Sequence, residues 1–294
     1  MFQFGVVGQI CCDITLSGLP GMPRLGGEIF ADDVSVCAGG IFTTTAWLKG
    51  LGANVTHIAT LGTDPITALI ESDIARHNVD LSLCTRTDGA TPELTVALPV
   101  DGDRALVTYS NDQGAPLINS AVVANTEHLH VGGVKHLLNS DASLSSHSIS
   151  LSIGTEDLAL GLDGFKQLRG IVDIFFVNSD EGRALAGVDD LQQVQSVLST
   201  VFPFVVLTDG DRGAYAIKDG ATYRHPALTT QLVDATGAGD SFVAGFLLAY
   251  RQTASIEAAL KLASACGAFA VTTVGATTKI PNRETLEKLL EANA

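Results

Sequence analysis

Two glycines and a carboxylate stand together in Asp234-Ala-Thr-Gly-Ala-Gly-Asp240-Ser-Phe, and their types and spacing suit phosphoryl chemistry. Gly237 and Gly239 lack a Cβ, so the backbone there can turn tightly and approach a ligand. The residues that follow, 241–250, form a proline-free, mostly apolar run that predicts a helix. The glycines then sit at its N-terminus, where unpaired N–H groups and the positive end of the helix dipole make a site for phosphate. Asp240 falls in the first turn, placed to accept a proton from a hydroxyl while the N–H groups hold the phosphoryl group that the hydroxyl attacks. The same residues also allow a structural reading, in which Asp240 complements the dipole and the glycines only turn the chain.

Asp-x-Thr-Gly-Ala-Gly-Asp-Ser-Phe resembles the C-terminal signature of the ribokinase-like (PfkB) family of ATP-dependent carbohydrate and nucleoside kinases. The resemblance covers nearly the whole length, with both end motifs in order. It implies a doubly wound, mostly parallel α/β sheet flanked by helices, one domain over residues 1–294, with a small β-sheet lid. It also implies Asp240 as catalytic base and the backbone of Gly237, Ala238 and Gly239 as the anion hole.

Phe4 to Ile10 is a compact apolar run that reads as a first, buried parallel strand. Asp13 then sits just past its C-terminal end, the edge at which open α/β sheets bind ligands. The resemblance gives Asp13 the sugar hydroxyls; a loop aspartate closing an Asx turn is the structural alternative. Residues 14–36 and 90–109 interrupt the βα pattern with short β segments and a turn at Asp101-Gly-Asp-Arg104. They resemble the family's lid, which closes over the sugar and excludes water. Gly39 and Gly40 precede a predicted helix from Ile41 to Gly50, and Asn54 to Thr60 is the next strand. They match the family's N-terminal signature, so the backbone is expected to come close to the substrate. Thr44 holds the signature's polar position, commonly Asn, and the exchange of amide for hydroxyl leaves the sugar open. Gly62-Thr-Asp64 matches a Gly-x-Asp that is expected to be structural.

Seven serines fall between 140 and 152, and Ser148 to Ile153 alternates as a half-polar strand does. The Asp-Pro-x-x-Arg that many relatives carry near this point is missing. Ile171 to Val177 predicts a buried strand followed by Asn178-Ser-Asp-Glu181, residues that suit a helix cap. The resemblance puts Asn178 and Glu181 near Mg²⁺ and the phosphates, with Glu181 acting through water. Phe204 to Leu207 predicts another strand, and Thr208, Gly210 and Gly213 after it resemble the nucleotide-binding turn. Arg212 in that turn reads as a solvated loop residue or as a charge for phosphate. Ala214 to Ile217 and Thr222 to His225 predict a hairpin across Asp219-Gly220. Ile256 to Thr273 predicts an alanine-rich helix, with Ser264 at the position beside adenine in relatives. Many relatives hold a monovalent cation with groups matching Asp234, Thr236, Ala270, Thr273, Gly275 and the position of Lys279. The charge of Lys279 would replace or exclude K⁺.

With 294 residues, 46% of them hydrophobic and 17% charged, the chain has ample core for one large α/β domain. A net charge of −15 speaks against nucleic acid or an anionic membrane as partner. A bound polyanion must then be met locally, by Mg²⁺, helix N-termini and a few basic side chains. Five cysteines without Cys-x-x-Cys spacing read as reduced structural thiols of a cytoplasmic protein. The N-terminus lacks the basic start and apolar length of a signal peptide. No stretch reaches the roughly 18 apolar residues of a membrane span, and the histidines show no zinc-ligand spacing. The expected ligands are ATP with Mg²⁺ and a small sugar or sugar derivative, and a homodimer through the lid stays open. One alternative is a nucleoside kinase, for which the lid offers only Phe30, Phe42 and Tyr109 to stack a base. Another is a non-catalytic sugar or nucleotide sensor, which would have no need of the intact Asp240.

Overall fold

The computed structural model describes residues 2–100, 103–110, 118–140, 144 and 146–293. Among these, a large sheet is built from β1 (Phe2–Val7), β4 (Val55–Ile58), β9 (Thr126–Gly132), β10 (Ser148–Ser152), β11 (Ile174–Asn178), β12 (Phe204–Thr208), β13 (Ala214–Lys218) and β14 (Ala221–His225). Its order is β4-β1-β9-β10-β11-β12-β13-β14; β4 to β12 run parallel and the last two strands form an antiparallel edge. A second sheet, ordered β3-β2-β7-β8, joins β2 (Ile10–Ser17), β3 (Asp33–Gly40), β7 (Glu93–Val100) and β8 (Asp103–Tyr109). A small pair, β5 (Thr60–Leu61) and β6 (Thr85–Arg86), lies beside it in sequence.

Helices cover both faces of the large sheet, and the alternation of its strands explains why. Phe4, Val6, Ile174, Phe176, Phe204 and Val206 pack on one side with α1 (Phe42–Gly50), α8 (Ala238–Thr253), α9 (Ile256–Ala270) and α10 (Arg283–Glu291). Val7, Leu129, Val131, Leu151, Phe175 and Val177 pack on the other with α3 (Ser120–Asn125), α4 (Val134–Leu138), α5 (Gly161–Phe165), α6 (Ser179–Ala186) and α7 (Leu191–Leu198). Strands covered on both faces must be apolar at successive positions, which is the pattern of the compact runs in the sequence. A third core, formed by Ile10, Cys12, Ala38, Phe42, Ile70 and Ile74, joins the second sheet to α2 (Pro65–Arg76). The chain passes from β1 to β4 on one side and then crosses to β9 on the other. That reversal opens a crevice at the carboxyl ends of the strands.

Several sequence expectations are corrected. The first strand ends at Val7, not Ile10. Gly8 turns the chain at φ +152°, where a Cβ would stand 2.7 Å from Ile41 Cγ2, and Ile10 onward enters the second sheet. Asp13 is thus a mid-strand residue of β2, and the loop-turn alternative falls away. The alanine-rich helix stops at Ala270 because the Val271 carbonyl accepts from the N–H groups of Val233 and Asp234. Phe42 is fully buried and cannot stack a ligand base. The turn expected at Asp101-Gly102 lies outside the described residues, as do Asp141 to Ser143 and Ser145 of the serine-rich stretch. The Asp219-Gly220 hairpin is present between β13 and β14, with both residues at positive φ. Gly62 and Asp64 are structural: a Cβ on Gly62 would meet the Ala90 carbonyl, and Asp64 caps α2.

The half-polar strand at 148–152 is a central strand whose polar face is buried at Ser150 and half-buried at Ser148 and Ser152. Its serines form a row with two histidines of β9. His128 bonds Ser148 Oγ through Nδ1 at 2.9 Å and Ser150 Oγ through Nε2 at 2.8 Å. His130 bonds Ser150 Oγ through Nδ1 at 2.9 Å and Ser152 Oγ through Nε2 at 3.3 Å. Burial pushes the His130 ring down to about 3 and lowers His128 well below the ordinary value. Neutral rings each supply one donor and one acceptor, which is what a chain of hydroxyls requires. No helix among the described residues is long and apolar enough to cross a membrane, and the five cysteines are free thiols.

Candidate active site

The motif at 234–242 is built as its residue types require. Gly237 caps α8 at φ +75°, and a Cβ there would stand 2.4 Å from Ala276 Cβ, so both conformation and space demand glycine. Gly239 differs. Among the described residues, nothing beyond its chain neighbours and its own helix lies within 4 Å of where its Cβ would be, and the residue lines a crevice of about 220 Å³. Among the described residues no side chain caps α8, as none caps α1, α4 or α5, whereas α2, α6, α7, α9 and α10 are capped by Asp64, Asn178, Asp190, Ser255 and Asn282. The Ala238 N–H turns back to the Ala235 carbonyl at 3.3 Å, and the start of α8 meets the crevice at Gly239 and Asp240.

Asp240, half-buried, occupies the third position of α8 and lines the same crevice. Thr44, fully buried in α1, directs its hydroxyl to Asp240, 3.2 Å from Oδ1 and 3.4 Å from the backbone carbonyl. Desolvation pushes the Asp240 carboxyl up to about 7; the Thr44 bond pulls it down and the nearby charge of Asp13 adds to the rise. Trp47, one turn further along α1 and also fully buried, donates its Nε1–H to the Ala276 carbonyl at 2.9 Å. That bond fixes α1 against the loop that Gly237 touches, and so fixes Thr44 against Asp240.

Asp13 faces the glycine pair across the β2–β3 ladder. A Cβ on Gly39 would lie 1.9 Å from Asp13 Oδ2, and a Cβ on Gly40 would lie 2.9 Å from Cys11 Sγ. The pair is thus required by the side chains it faces as well as by the turn into α1, where Gly40 stands at φ +63°.

On the opposite wall the register pairs Asn178 of β11 with Thr208 of β12. Asn178 and Glu181 form a reciprocal capping box. Asn178 Oδ1 accepts from the N–H groups of Asp180 and Glu181, and Glu181 Oε2 accepts from the Asn178 N–H at 3.0 Å. Both residues, with Thr208 and Ser152, line the crevice that holds Asp240. The two readings of these residues are therefore compatible: they cap α6 and face the site. Burial raises the Glu181 carboxyl above its usual range, offset by the two bonds from Asn178.

Three predicted nucleotide contacts do not line this crevice. Gly210 is exposed. Gly213 packs against β14, where a Cβ would stand 2.2 Å from the His225 carbonyl oxygen. Ser264 is buried within α9. Arg212 is solvent-exposed, as expected of a loop arginine, and also grips the buried Asp209 through two bonds of 2.7 and 2.6 Å. Asp234 accepts from Thr236 N–H, Thr236 Oγ1 and Gly275 N–H, joining the loops on either side of α8 and α9. Lys279, exposed, lies 5.8 Å over the Phe269 ring. Among the described residues no three His, Cys, Asp or Glu side chains converge as a metal cage. Sequence reasoning missed Ser152, Cys11 and Glu93 as neighbours of this site. The parallel pairing of β2 with β7, a long-range contact, is what brings Glu93 there.

Residues 31–283 match the family described as pfkB family carbohydrate kinase. The chain is 25% identical over 278 residues to a probable fructokinase-5 of Arabidopsis thaliana, spanning 83% of this chain and 85% of that protein. It is also 25% identical to an ATP-dependent ribose-1-phosphate kinase of Halopiger xanaduensis, across 92% of each. The solved structure of Arabidopsis thaliana ribokinase complexed with ribose and ATP superposes with a TM-score of 0.78 at 21% identity, covering 99% of each chain. An α8 N-terminus left uncapped beside Asp240, within a doubly wound sheet that carries a second small sheet, accords with that match: the chain belongs to the pfkB family of carbohydrate kinases.

Proposed function

We propose that the protein transfers the γ-phosphoryl group of ATP to a hydroxyl of a small sugar or sugar derivative, with Asp240 as general base. The observation that carries this reading is the placement of the Asp240 carboxyl in the first turn of α8, lining the crevice and held by the Thr44 hydroxyl at 3.2 Å, where desolvation also pushes it up to about 7. A base is most effective when its pKa lies near the working pH. The acceptor hydroxyl gives its proton to Asp240 as its oxygen bonds to the γ-phosphorus, and the bond to the β-phosphate oxygen breaks to release ADP. The N–H groups at Gly237, Ala238 and Gly239 hold the equatorial oxygens, where the negative charge of the transferring group is spread. Asp13 and the Gly39-Gly40 backbone position the sugar. Thr44 acts on it through Asp240, because its hydroxyl is turned to that carboxylate.

Asn178, Glu181 and Thr208 form the nucleotide side. The donor set suits Mg²⁺, which keeps several waters and needs few protein ligands, with Glu181 reaching it through water. Held there, the ion would supply positive charge to offset the negative charge of the phosphates. Gly210, Gly213 and Ser264 would then shape the adenine side indirectly. Asp234 and Thr236 remain the candidates for a monovalent cation, and the ring partner of Lys279 lessens the case for that lysine as its replacement. The four-stranded sheet acts as the lid. Its exposed Val34, Leu106, Val107 and Tyr109, with Met22, Leu25 and Phe30 in the connection between β2 and β3, support pairing with a second copy through that sheet.

The burial of Phe42 leaves the lid with Phe30 and Tyr109 as aromatic surfaces, which favours a sugar over a nucleoside. Asp240→Asn tests the assignment. The variant should keep its fold and its ATP-dependent thermal shift while kcat falls by about 10²–10⁴. Turnover close to wild type would remove Asp240 as the base.

A further inference from the structure

The underside of the small sheet carries more chemistry than Asp13. β2 runs parallel to β7 with Cys11 opposite Glu93 and Asp13 opposite Thr95. The intervening Cys12 and Leu94 point the other way, into the core under that sheet. Cys11 donates its thiol to Glu93 Oε1 at 3.7 Å, and Cys11 and Asp13 stand directly over Gly40 and Gly39. The glycines lead into α1, whose Thr44 holds Asp240. Glu93, Cys11, Asp13 and Asp240 are therefore neighbours on one surface. Burial, and after it the acidic charges of Glu93, Asp13 and Asp240, raise the Cys11 thiol well above its usual value.

We infer that Glu93 and Cys11 belong to the acceptor site and that its substrate is a neutral polyol or an amino sugar, while sugar acids and sugar phosphates are rejected. This rests on the phosphotransfer reading above. Asp13 and Glu93, joined by the ionised fraction of Asp240, offer acceptors to hydroxyl and ammonium donors and repel an anionic group in a half-buried setting where water screens poorly. A chain with a net charge of −15 adds no compensating field.

The test uses shape-matched substrates: ribitol with ribonate, and glucose with glucuronate and glucosamine, with ATP and Mg²⁺ at saturation. For the wild type, kcat/KM should favour the neutral or amino member over the acid by about 10²-fold, the combined effect of several like charges at partly buried separations. Glu93→Gln keeps the shape of the side chain and removes one charge, so the ratio should narrow about tenfold. Circular dichroism and the nucleotide thermal shift check that the variant folds. A wild type that prefers the acid, or a Glu93→Gln ratio equal to the wild-type ratio, overturns the proposal. If no member of the panel is phosphorylated, the phosphotransfer reading fails for these sugars, and calorimetric binding of the same pairs still decides. Tighter binding of the neutral or amino member, weakened selectively by Glu93→Gln, supports the assignment. Tighter binding of the acid refutes it.

Discussion

Replacing Thr44 with valine keeps the buried volume of α1 and removes the hydroxyl that reaches Asp240 Oδ1 at 3.2 Å. A hydrogen bond to a charged group is worth about 1.5–3 kcal/mol. This one is long and shared with the Asp240 carbonyl at 3.4 Å, so the lower end applies, about one pKa unit. The bond stabilises the carboxylate, and its loss should therefore raise the Asp240 midpoint from about 7 toward one unit higher. At pH 7 the ionised fraction would drop from about half to about a tenth, and kcat/KM for the acceptor would fall about fivefold. Near pH 9 the two enzymes should nearly coincide. The assay is the pH profile of kcat/KM, which reports groups of the free enzyme, taken as the ratio of variant to wild type so that the titration of ATP cancels. Thr44→Ser keeps the hydroxyl and should keep the wild-type midpoint. A Thr44→Val profile lowered equally at every pH, with an unmoved midpoint, would refute the idea that this hydroxyl tunes the base.

Gly39→Ala would force the Asp13 carboxylate aside, since the new Cβ would sit 1.9 Å from Oδ2. Such a displacement should cost about 10²-fold in kcat/KM for the sugar with the ATP thermal shift preserved; equal loss of both would show a general distortion instead. Ser150→Ala leaves His128 Nε2 and His130 Nδ1 without their shared hydroxyl. Urea unfolding should show a loss of about 1–3 kcal/mol, and an unchanged midpoint would deny the row its structural weight. Burial also holds His57 near 4 and His136 near 4, with His130 near 3. Depressed folded values mean that the unfolded chain binds protons first, so the stability these rings contribute is complete above about pH 6.5 and is lost as pH falls toward the folded values. At pH 5 the three should remove ~6 kcal/mol, at about 1.4 kcal/mol per unit for each. That is comparable to the whole stability of many domains. Thermal unfolding followed by circular dichroism at pH 5 and pH 7.5 checks this, and equal midpoints would contradict it.

Local information was enough for much of this protein. The apolar runs at 171–177 and 204–207, the hairpin at Asp219-Gly220 and the Gly-Ala-Gly-Asp turn into a helix all follow from near-neighbour sterics, periodicity and capping. Those are interactions within a few residues, so a sequence displays them directly. The break after β1 was not legible, because the reason Gly8 bends the chain is Ile41, thirty-three positions later. The serines at 148–152 looked half-exposed because hydroxyls usually face water. Only the neighbouring strand, with His128 and His130 in register, makes a buried polar face affordable. The same limit applies at the site. Asp240 could be named from its motif, but its poise near neutral pH comes from packing around the carboxyl, the hydroxyl of Thr44 and the charge of Asp13, groups that lie some two hundred residues away in sequence. A sequence fixes which groups exist, whereas desolvation and Coulomb terms depend on distances that only the folded chain sets.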